Sequence, residues 1–282
     1  AVLYIPDNVE ITEPIEGIFY QDSDSDVPFN KHILIVAGKN SKISYLERLE
    51  SRGEGSAKAT ANITVEVIAR SGAQVKFAAI DRLGENVTAY ISRRGKLGND
   101  ASIDWAIAVM NEGNVIADFD SDLLGNGSHA DLKAIALSSG RQIQGIDTRV
   151  TNYGCNSIGN ILQHGVILEK ATLTFNGIGH IIKGAKGADA QQESRVLMLS
   201  DQARSDANPI LLIDENDVTA GHAASIGQVD PEDMYYLMSR GLDKATAERL
   251  VVRGFLGSVI VEIPVKEVRD EMIATIEEKL SK

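Results

Sequence analysis

The feature that most constrains the fold is a long succession of short segments in which apolar residues occupy every second position. Ile63, Val65 and Val67 are separated by threonine and glutamate, and Leu173 and Phe175 alternate with threonines. Alternation with a period of two places apolar side chains on one face of a β-strand. The same spacing recurs at Ile103, Trp105, Ile107, Val109, Val115, Ala117 and Phe119. The chain is therefore predicted to be mainly β.

Glycines mark turns between these segments at a nearly even spacing. When one glycine is taken per turn, the intervals between successive turns are similar along the chain. These glycines are Gly72, Gly84, Gly98, Gly113, Gly125, Gly140, Gly154, Gly165 and Gly177. Asparagine often lies close by, and both residue types tolerate the positive backbone torsions of tight turns. Short strands with turns at even intervals indicate a repeating all-β architecture.

Two architectures are compatible with such a repeat. A sandwich or barrel joins its strands mostly by hairpins, whereas a solenoid stacks each strand on its equivalent one coil later. The run of units covers residues 30–227, and no proline occurs between Pro28 and Pro209. Small residues that suit a narrow stacked core occupy candidate inward positions, namely Ala117, Ala130, Ala134 and Ala136. These features favour the solenoid, with the sandwich as the alternative.

The character of the sequence changes at residue 230, which divides a predicted β core over 1–229 from a predicted helical region over 230–282. Asp230 and Pro231 are typical of a capped helix start, and Asp243 is suited to cap a second helix. Apolar residues at helical spacing follow in three groups: Met234, Leu237 and Met238; Ala247, Leu250 and Val251; and, after Pro264, Val265, Val268, Met272, Ile276 and Leu280. Such stripes pack on the β core or receive a partner, and both interpretations stay open.

Composition excludes several classes of protein. Lys and Arg number 28 against 40 Asp and Glu, and a net charge of −12 argues against a nucleic-acid backbone as the main partner. The sequence has no apolar run of about 18 residues that would span a membrane, and its first residues do not resemble a secretion signal. A cytoplasmic location is therefore expected. Cys155 is the single cysteine, which excludes an internal disulfide and a four-thiolate site; we interpret it as an inert thiol.

The sequence lacks the usual catalytic motifs. It contains no Walker loop, no nucleophile elbow and no H-E-x-x-H zinc motif. The five histidines are too far apart along the chain to form a local metal motif. Asp118, Asp120 and Asp122 lie on one side of a predicted strand, which we interpret as a solvated face rather than a calcium site. The small residues around His222 would let a ligand or another backbone approach it, the alternative being a tight corner of the solenoid.

A group of motifs in the C-terminal half is more specific in combination than any one of them alone. They are Asp217-Val218, His222-Ala223-Ala224-Ser225-Ile226-Gly227, Tyr235-Tyr236-Leu237, Ser239-Arg240-Gly241 and Gly254-Phe255. Upstream matches are Gly177-Ile178-Gly179-His180-Ile181 and Arg195-Val196-Leu197-Met198-Leu199-Ser200. Together these motifs resemble the SufB/SufD family of iron–sulfur cluster assembly proteins. The resemblance is strong over about 164–262 and weaker but collinear before that.

Two details resemble SufD-type rather than SufB-type members. Ala223 stands where SufB-type chains usually have a glutamate. Ser205, Asp206 and Ala207 occupy the segment where SufB-type chains carry a cysteine. The chain also departs from many SufD-type members, because Ala220 replaces a cysteine two residues before the histidine. That departure leaves His222 as the candidate ligand from this chain.

The resemblance implies a right-handed parallel β-helix followed by C-terminal helices. It also implies a SufBCD complex in which the chain pairs with SufB, or with itself when alone, through the β-helix. The ATPase SufC would dock on the C-terminal helices at residues within 231–257: Tyr235, Tyr236, Leu237, Arg240, Gly241, Gly254 and Phe255. Family members usually carry an N-terminal helical segment that this sequence does not show, so a truncated chain is expected.

The leading functional hypothesis is a non-enzymatic scaffold subunit for cluster assembly. His222 would supply an imidazole ligand to a transient iron–sulfur cluster or iron at the interface with SufB, whose thiolates complete the site. The chain alone would hold no stable cofactor. The alternatives are a β-helix enzyme acting on polysaccharides, with the aspartate row as its acids, an adhesin, or a purely structural partner.

Overall fold

The computed structural model describes residues 1–261 and 266–280. Sixteen strands are followed by three helices. The strands are Val2–Ile5 (β1), Ile15–Asp22 (β2), Phe29–Ala37 (β3), Lys42–Arg52 (β4), Ala59–Ala69 (β5), Gln74–Arg82 (β6), Val87–Leu97 (β7), Ser102–Val109 (β8), Val115–Leu123 (β9), His129–Ser138 (β10), Ile143–Asn152 (β11), Ile158–Ile167 (β12), Thr172–Ile181 (β13), Asp189–Met198 (β14), Arg204–Ile213 (β15) and Thr219–Gln228 (β16). The helices are Pro231–Ser239 (α1), Lys244–Ile260 (α2) and Lys266–Leu280 (α3).

Consecutive strands alternate between two eight-stranded sheets. The odd-numbered strands form one sheet and the even-numbered strands form the other, here called the odd sheet and the even sheet. Every pairing between the described strands is parallel. Each coil therefore contributes one strand to each sheet, which confirms the predicted β-solenoid. The sandwich with hairpin connections is wrong for this chain, and the right-handed winding stays a prediction.

The ladder register shows that the coils differ in length. Ala89 pairs with Val115, and Phe29 pairs with Ala61. The second pair is separated by more residues than the first. The interval between successive glycines in the sequence is therefore about half of one coil. Strands that stack one coil apart are neighbours in the same sheet, and strands half a coil apart face each other across the interior.

The interior contains the alternating apolar residues that the sequence predicts. Ile63, Val65 and Val67 point inward from β5 and are almost completely buried. The ring centroids of Phe77 and Trp105 lie 4.8 Å apart in the even sheet. Between such rings, methyl side chains let the two sheets approach closely. The small residues predicted for the inward positions, Ala117, Ala130, Ala134 and Ala136, are all fully buried.

Seven of the nine selected glycines lie in connections between strands, but Gly165 and Gly177 do not. They lie inside β12 and β13, where both face the interior. A Cβ on Gly165 would overlap the side chain of Leu173, and a Cβ on Gly177 would lie 2.7 Å from Oε1 of Gln192. These two glycines therefore leave room for side chains of the opposite sheet, and their interpretation as turns is wrong.

Helix α1 begins and ends where its predicted caps lie, and α2 begins after its predicted cap. The Asp230 carboxylate accepts a hydrogen bond of 2.8 Å from the backbone N–H of Glu232, and Asp243 accepts one of 2.8 Å from Thr246. Gly241 follows α1 with φ at 93°, a left-handed torsion that favours glycine. Pro264 and Val265, which the sequence places before the last helix, lie outside the described residues.

Helices α2 and α3 cover part of the outer face of the even sheet. Val268, Met272 and Ile276 of α3 are buried there, so this stripe packs on the β core, one of the two interpretations that the sequence left open. The stripe predicted for α2 is only partly right, because Leu250 is 45% exposed. Ala247 of the predicted stripe is buried, and Val252, Leu256 and Ile260, which the stripe does not contain, are buried as well. By contrast, α1 has no buried residue.

The interior also contains a network of buried charges, which we call the core ion network: Lys31, Glu47, Asp81 and Arg93. The Arg93 guanidinium contacts Asp81 at 2.7 and 2.8 Å and Glu47 at 2.8 Å, and Lys31 Nζ lies 2.5 Å from Glu47. Burial lowers the pKa of Lys31 to about 8, against the attraction of Glu47. Burial alone would raise the pKa of Glu47, but Arg93 and Lys31 hold it below its ordinary value.

Candidate functional site

The last coil leaves the solenoid open at its C-terminal end. β15 is the last strand of the odd sheet and β16 is the last strand of the even sheet, so each has one edge without a neighbouring strand among the described residues. Their inward side chains are half-buried or exposed, because no further coil covers them. Ile213 and Ile226 continue the inward rows of Ile181 and Val196, which are buried one coil earlier. The interior of the last coil is therefore accessible from this end.

His222 lies on β16 at this open end, where the strand is largely exposed. The parallel register pairs it with Gln192 of β14, an inward residue that is buried. His222 therefore continues an inward row rather than facing outward. Its neighbours Ala220, Ala223 and Ala224 are small, as the sequence interpretation required. The structure places the predicted ligand at the mouth of the solenoid interior, not at a closed corner.

His222 differs from the other histidines in its contacts. His32, His129, His164 and His180 each have a ring nitrogen within 3.5 Å of a carboxylate oxygen. His222 has neither a carboxylate nor another hydrogen-bond partner among residues 1–261 and 266–280. Both ring nitrogens are thus available to a ligand or a partner.

The residues around His222 do not form a self-contained metal site. Within the described part of the chain, no three side chains of His, Cys, Asp or Glu are grouped so that they could hold a metal ion. Cys155 lies in the corner between β11 and β12, half-buried, with its Sγ 3.4 Å from the carbonyl oxygen of Gly184. This end of the chain can offer an imidazole to a shared site, but the described residues do not bring a set of three ligands together there.

The aspartate row lies on the outer face of the odd sheet. Asp118 accepts a hydrogen bond of 2.6 Å from the hydroxyl of Tyr90, and Asp122 forms an ion pair of 2.7 Å with Arg94. Burial raises the pKa of Asp120, against the attraction of Arg149 and Arg94. Two of the three carboxylates therefore already accept hydrogen bonds from the neighbouring strand β7, as expected for a polar strand face.

The residues predicted to dock a partner fall into two groups. Tyr235 and Tyr236 on α1 are 75% and 57% exposed, and the Arg240 guanidinium lies 5.1 Å from the centre of the Tyr236 ring. Leu237 is half-buried, while Gly241 and Gly254 are exposed. Phe255 is different, because its ring stacks on His164 of β12 at 4.9 Å between centroids.

The sequence did not indicate the role of His164. It is buried under α2, and its Nδ1 lies 3.3 Å from the carbonyl oxygen of Phe255. Burial lowers the pKa of His164, against the effect of Glu193. The sequence shows that His164 shares an outward row with apolar Val166. It does not show that helix α2 covers this row. The sequence also did not indicate that Gln192 is the strand partner of His222, because that pairing depends on the length of the coil between them.

No helix within 1–261 or 266–280 combines the length and apolar character needed to cross a membrane.

Comparison with known proteins agrees with the motifs. The family model described as "SUF system FeS cluster assembly, SufBD core domain" matches residues 19–255. The chain is 46% identical over 281 residues to an iron–sulfur cluster assembly protein SufD of Bacillus subtilis (strain 168), covering 99% of this chain and 64% of that protein. It is 24% identical over 266 residues to a SufBD family protein of Staphylococcus epidermidis (strain ATCC 12228), covering 94% of this chain and 57% of that protein.

A SufBD family protein of Mycobacterium leprae is 26% identical over 268 residues, which are 94% of this chain and 30% of that protein. The chain thus spans less than two thirds of the length of each of these relatives. The family match covers most of the solenoid together with α1 and most of α2. The chain therefore belongs to the SufB/SufD family of iron–sulfur cluster assembly proteins, and it is more similar to SufD.

Proposed function

We propose that the chain is a scaffold subunit of a SufBCD complex and does no catalysis of its own. The observation that carries this proposal is the position of His222, on an inward row at the open end of the solenoid. The family membership supports a role in iron–sulfur cluster assembly. The complex would work in the cytoplasm, and the chain would hold no cluster or iron stably by itself.

His222 acts in this proposal as an imidazole ligand to an iron–sulfur cluster or iron that is cargo of the complex. Imidazole replaces thiolate on iron in some clusters. The chain has one cysteine, and it lies at a corner away from the last strands. SufB supplies the thiolates, and the chain completes the site with a single nitrogen.

The partner for the open end is SufB, with a second copy of the chain as its substitute when SufB is absent. Unpaired strand edges bind other strands readily, because their N–H and C=O groups lack partners. The accessible inward side chains of β15 and β16, such as Ile213 and Ile226, would be covered in the same event.

The ATPase SufC docks on α1 and the adjoining turn in this proposal. Tyr235 and Tyr236 are large exposed side chains of this helix, and aromatic residues of this kind often carry most of the binding energy of an interface. ATP hydrolysis then belongs to SufC rather than to this chain.

The test is reconstitution with SufB and SufC, followed by iron and acid-labile sulfide analysis of the purified complex. His222→Ala is expected to lower both contents at least about tenfold while leaving the thermal unfolding of the subunit unchanged. His180→Ala is the matched control, because His180 is a partly exposed histidine of the odd sheet that pairs with Asp214. Normal iron and sulfide contents in the His222→Ala complex would remove the ligand role.

A further inference from the structure

We propose that a pocket on the outer face of the odd sheet binds a segment of a partner protein that carries one large apolar side chain flanked by carboxylates. The pocket has a volume of about 370 Å³ and shares no residue with β16 or with the helices. We call it the basic pocket, and its lining includes Lys39, Ile68, Arg70, Lys96, Gly98 and Leu124. Its occupant is independent of the role proposed for His222.

The basic pocket opens where a glycine interrupts a row of side chains at one corner of the solenoid. Arg70, Gly98 and Leu124 directly follow the last residues of β5, β7 and β9, and those last residues pair in register. The three positions therefore follow one another in successive coils, with Gly98 in the middle. A Cβ at Gly98 would lie 3.0 Å from the backbone nitrogen of Ser71. A larger residue would have to displace the neighbouring coil, so the gap between Arg70 and Leu124 belongs to the fold.

The walls of the basic pocket suit an apolar side chain. Leu124 is 52% exposed and Ile68 is 38% exposed, although both are large apolar residues. Lys39, Arg70 and Lys96 line the same pocket, and long basic side chains of this kind pack their hydrocarbon stems along apolar surface while their charged groups stay in water. Pockets that hold small molecules have volumes of about 300–1,000 Å³, so this one is sized for a single large side chain. Such a side chain would leave water and cover Ile68 and Leu124 in the same event.

The positive charge around the pocket is not neutralised within the described part of the chain. Lys39, Arg70 and Lys96 are exposed, and none of them forms an ion pair with a described carboxylate. Asp122 is the strand partner of Lys96, and Glu66 lies two positions before Ile68, but these carboxylates already contact other side chains at 2.7 and 2.9 Å. Three uncompensated cations thus surround one apolar pocket on a chain with a net charge of −12. The complementary partner places carboxylates around an apolar anchor.

A short acidic peptide segment fits this surface better than a nucleic acid does. A phosphate backbone depends on many cations along its length. The outer face of the odd sheet instead offers three cations around one pocket, and Asp118 and Asp120 lie on the same face. A peptide with one apolar anchor and a few carboxylates uses both the apolar walls and the cations.

The test is methyl NMR spectroscopy of the full chain with ¹³C-labelled isoleucine and leucine methyl groups. The probe is a synthetic heptapeptide with a central phenylalanine and three acidic residues on each side. Saturable shifts of the Ile68 and Leu124 signals are expected, and Ile68→Val and Leu124→Ala assign these signals. Lys96→Glu is expected to weaken binding about fivefold, because an attraction becomes a repulsion. Lys170→Glu is the matched control, because it makes the same change of charge at an exposed lysine of the corner between β12 and β13.

The apolar anchor is tested from both sides of the contact. Replacing the phenylalanine of the peptide with serine is expected to weaken binding at least about tenfold, and this change leaves the chain itself unaltered. Leu124→Asn should weaken binding of the original peptide by a similar factor. Ile116→Asn, at another exposed apolar residue of the odd sheet, should bind the peptide normally.

Three results would overturn the proposal. Unchanged Ile68 and Leu124 signals at millimolar peptide would show that the pocket does not bind such a segment. Equal weakening by Lys96→Glu and Lys170→Glu would attribute the binding to net charge rather than to the pocket. A short oligothymidylate that shifts the same signals at a lower concentration than the peptide would make a nucleic acid the occupant.

Discussion

Arg93 and Asp81 form a two-point ion pair inside the solenoid, with N–O distances of 2.7 and 2.8 Å and with neither side chain exposed. The strands that carry them, β7 and β6, belong to opposite sheets. The pair therefore joins the odd sheet to the even sheet through the interior. Glu47 and Lys31 extend it into the core ion network.

Removing the cation at the centre of this network should be costly. Arg93→Met is expected to lower the free energy of unfolding by about 3–5 kcal/mol, because Asp81 and Glu47 would remain buried with too little positive charge. Arg94→Met is the matched control, since Arg94 is the next residue, points outward and forms a partly exposed pair with Asp122. It should cost at most about 1 kcal/mol. Equal losses of stability in urea titrations would contradict this account of the network.

The network also predicts a dependence of stability on pH. The pKa of Lys31 is about 8 in the folded chain, below its ordinary value of 10.5. Between these values the unfolded chain binds a proton at Lys31 that the folded chain does not, so this residue makes stability rise with pH. The parent chain should therefore gain stability relative to Lys31→Met as the pH is raised from 8 to 10. Denaturant titrations of both proteins at several pH values measure the difference, and a constant difference would refute the lowered pKa.

Gly165 should tolerate substitution poorly, although it is not in a turn. A Cβ there would overlap Leu173 and lie 2.9 Å from the Phe175 ring, so Gly165→Ala is expected to cost about 1–3 kcal/mol through overpacking. Gly145 of β11 provides the comparison, because a Cβ there has no atom within 4 Å. Gly145→Ala is expected to be neutral or to stabilise the chain by about 0.5 kcal/mol. The same loss of stability in both variants would show that backbone flexibility, not interior space, decides the effect.

The residues assigned to SufC docking should differ in their role, because some are exposed and bind SufC whereas Phe255 stabilises the fold. Replacing both Tyr235 and Tyr236 with alanine is expected to weaken SufC binding at least about tenfold and to leave the unfolding temperature unchanged, because both rings are exposed. Tyr153→Ala, at an exposed corner of the solenoid, is the control and should bind SufC normally. Calorimetric titration with SufC measures these affinities, and full affinity of the double variant would exclude α1 as the docking surface.

Phe255 should behave as a residue of the fold. Its ring stacks on the buried His164, so Phe255→Ala is expected to destabilise the chain by about 2 kcal/mol, less than a fully buried phenylalanine would. Thermal or urea unfolding of the isolated chain measures this. Unchanged stability together with weakened SufC binding would move Phe255 to the docking group.

The sequence predicted the structure well wherever the burial of a residue follows from the residues next to it in the chain. The alternation at Ile63, Val65 and Val67 determined the inward face of β5, and Asp230 determined the start of α1. The sequence did not predict contacts between side chains of the two opposite sheets. Glycine at position 165 suggests a turn, but the side chains of Leu173 and Phe175 across the interior explain why glycine is needed there.

The candidate site shows the same division. The small residues around His222 drew attention to it in the sequence. Its strand partner, Gln192, could not be predicted by counting residues along the chain. The step from Gln192 to His222 is longer than the step from Ala89 to Val115 and shorter than the step from Phe29 to Ala61. A residue's stacking partner therefore depends on the lengths of corners, which carry no periodic signal.

That variation in coil length has a consequence for how the chain tolerates change. Coils of unequal length stack with their strands in register, so the difference is absorbed at the corners. A residue inserted at a corner lengthens a loop and leaves both ladders in place. A residue inserted within a strand would turn every later side chain of that strand to the opposite face. Insertions and deletions at the corners are therefore expected to leave the interior rows unchanged, including the row that ends at His222.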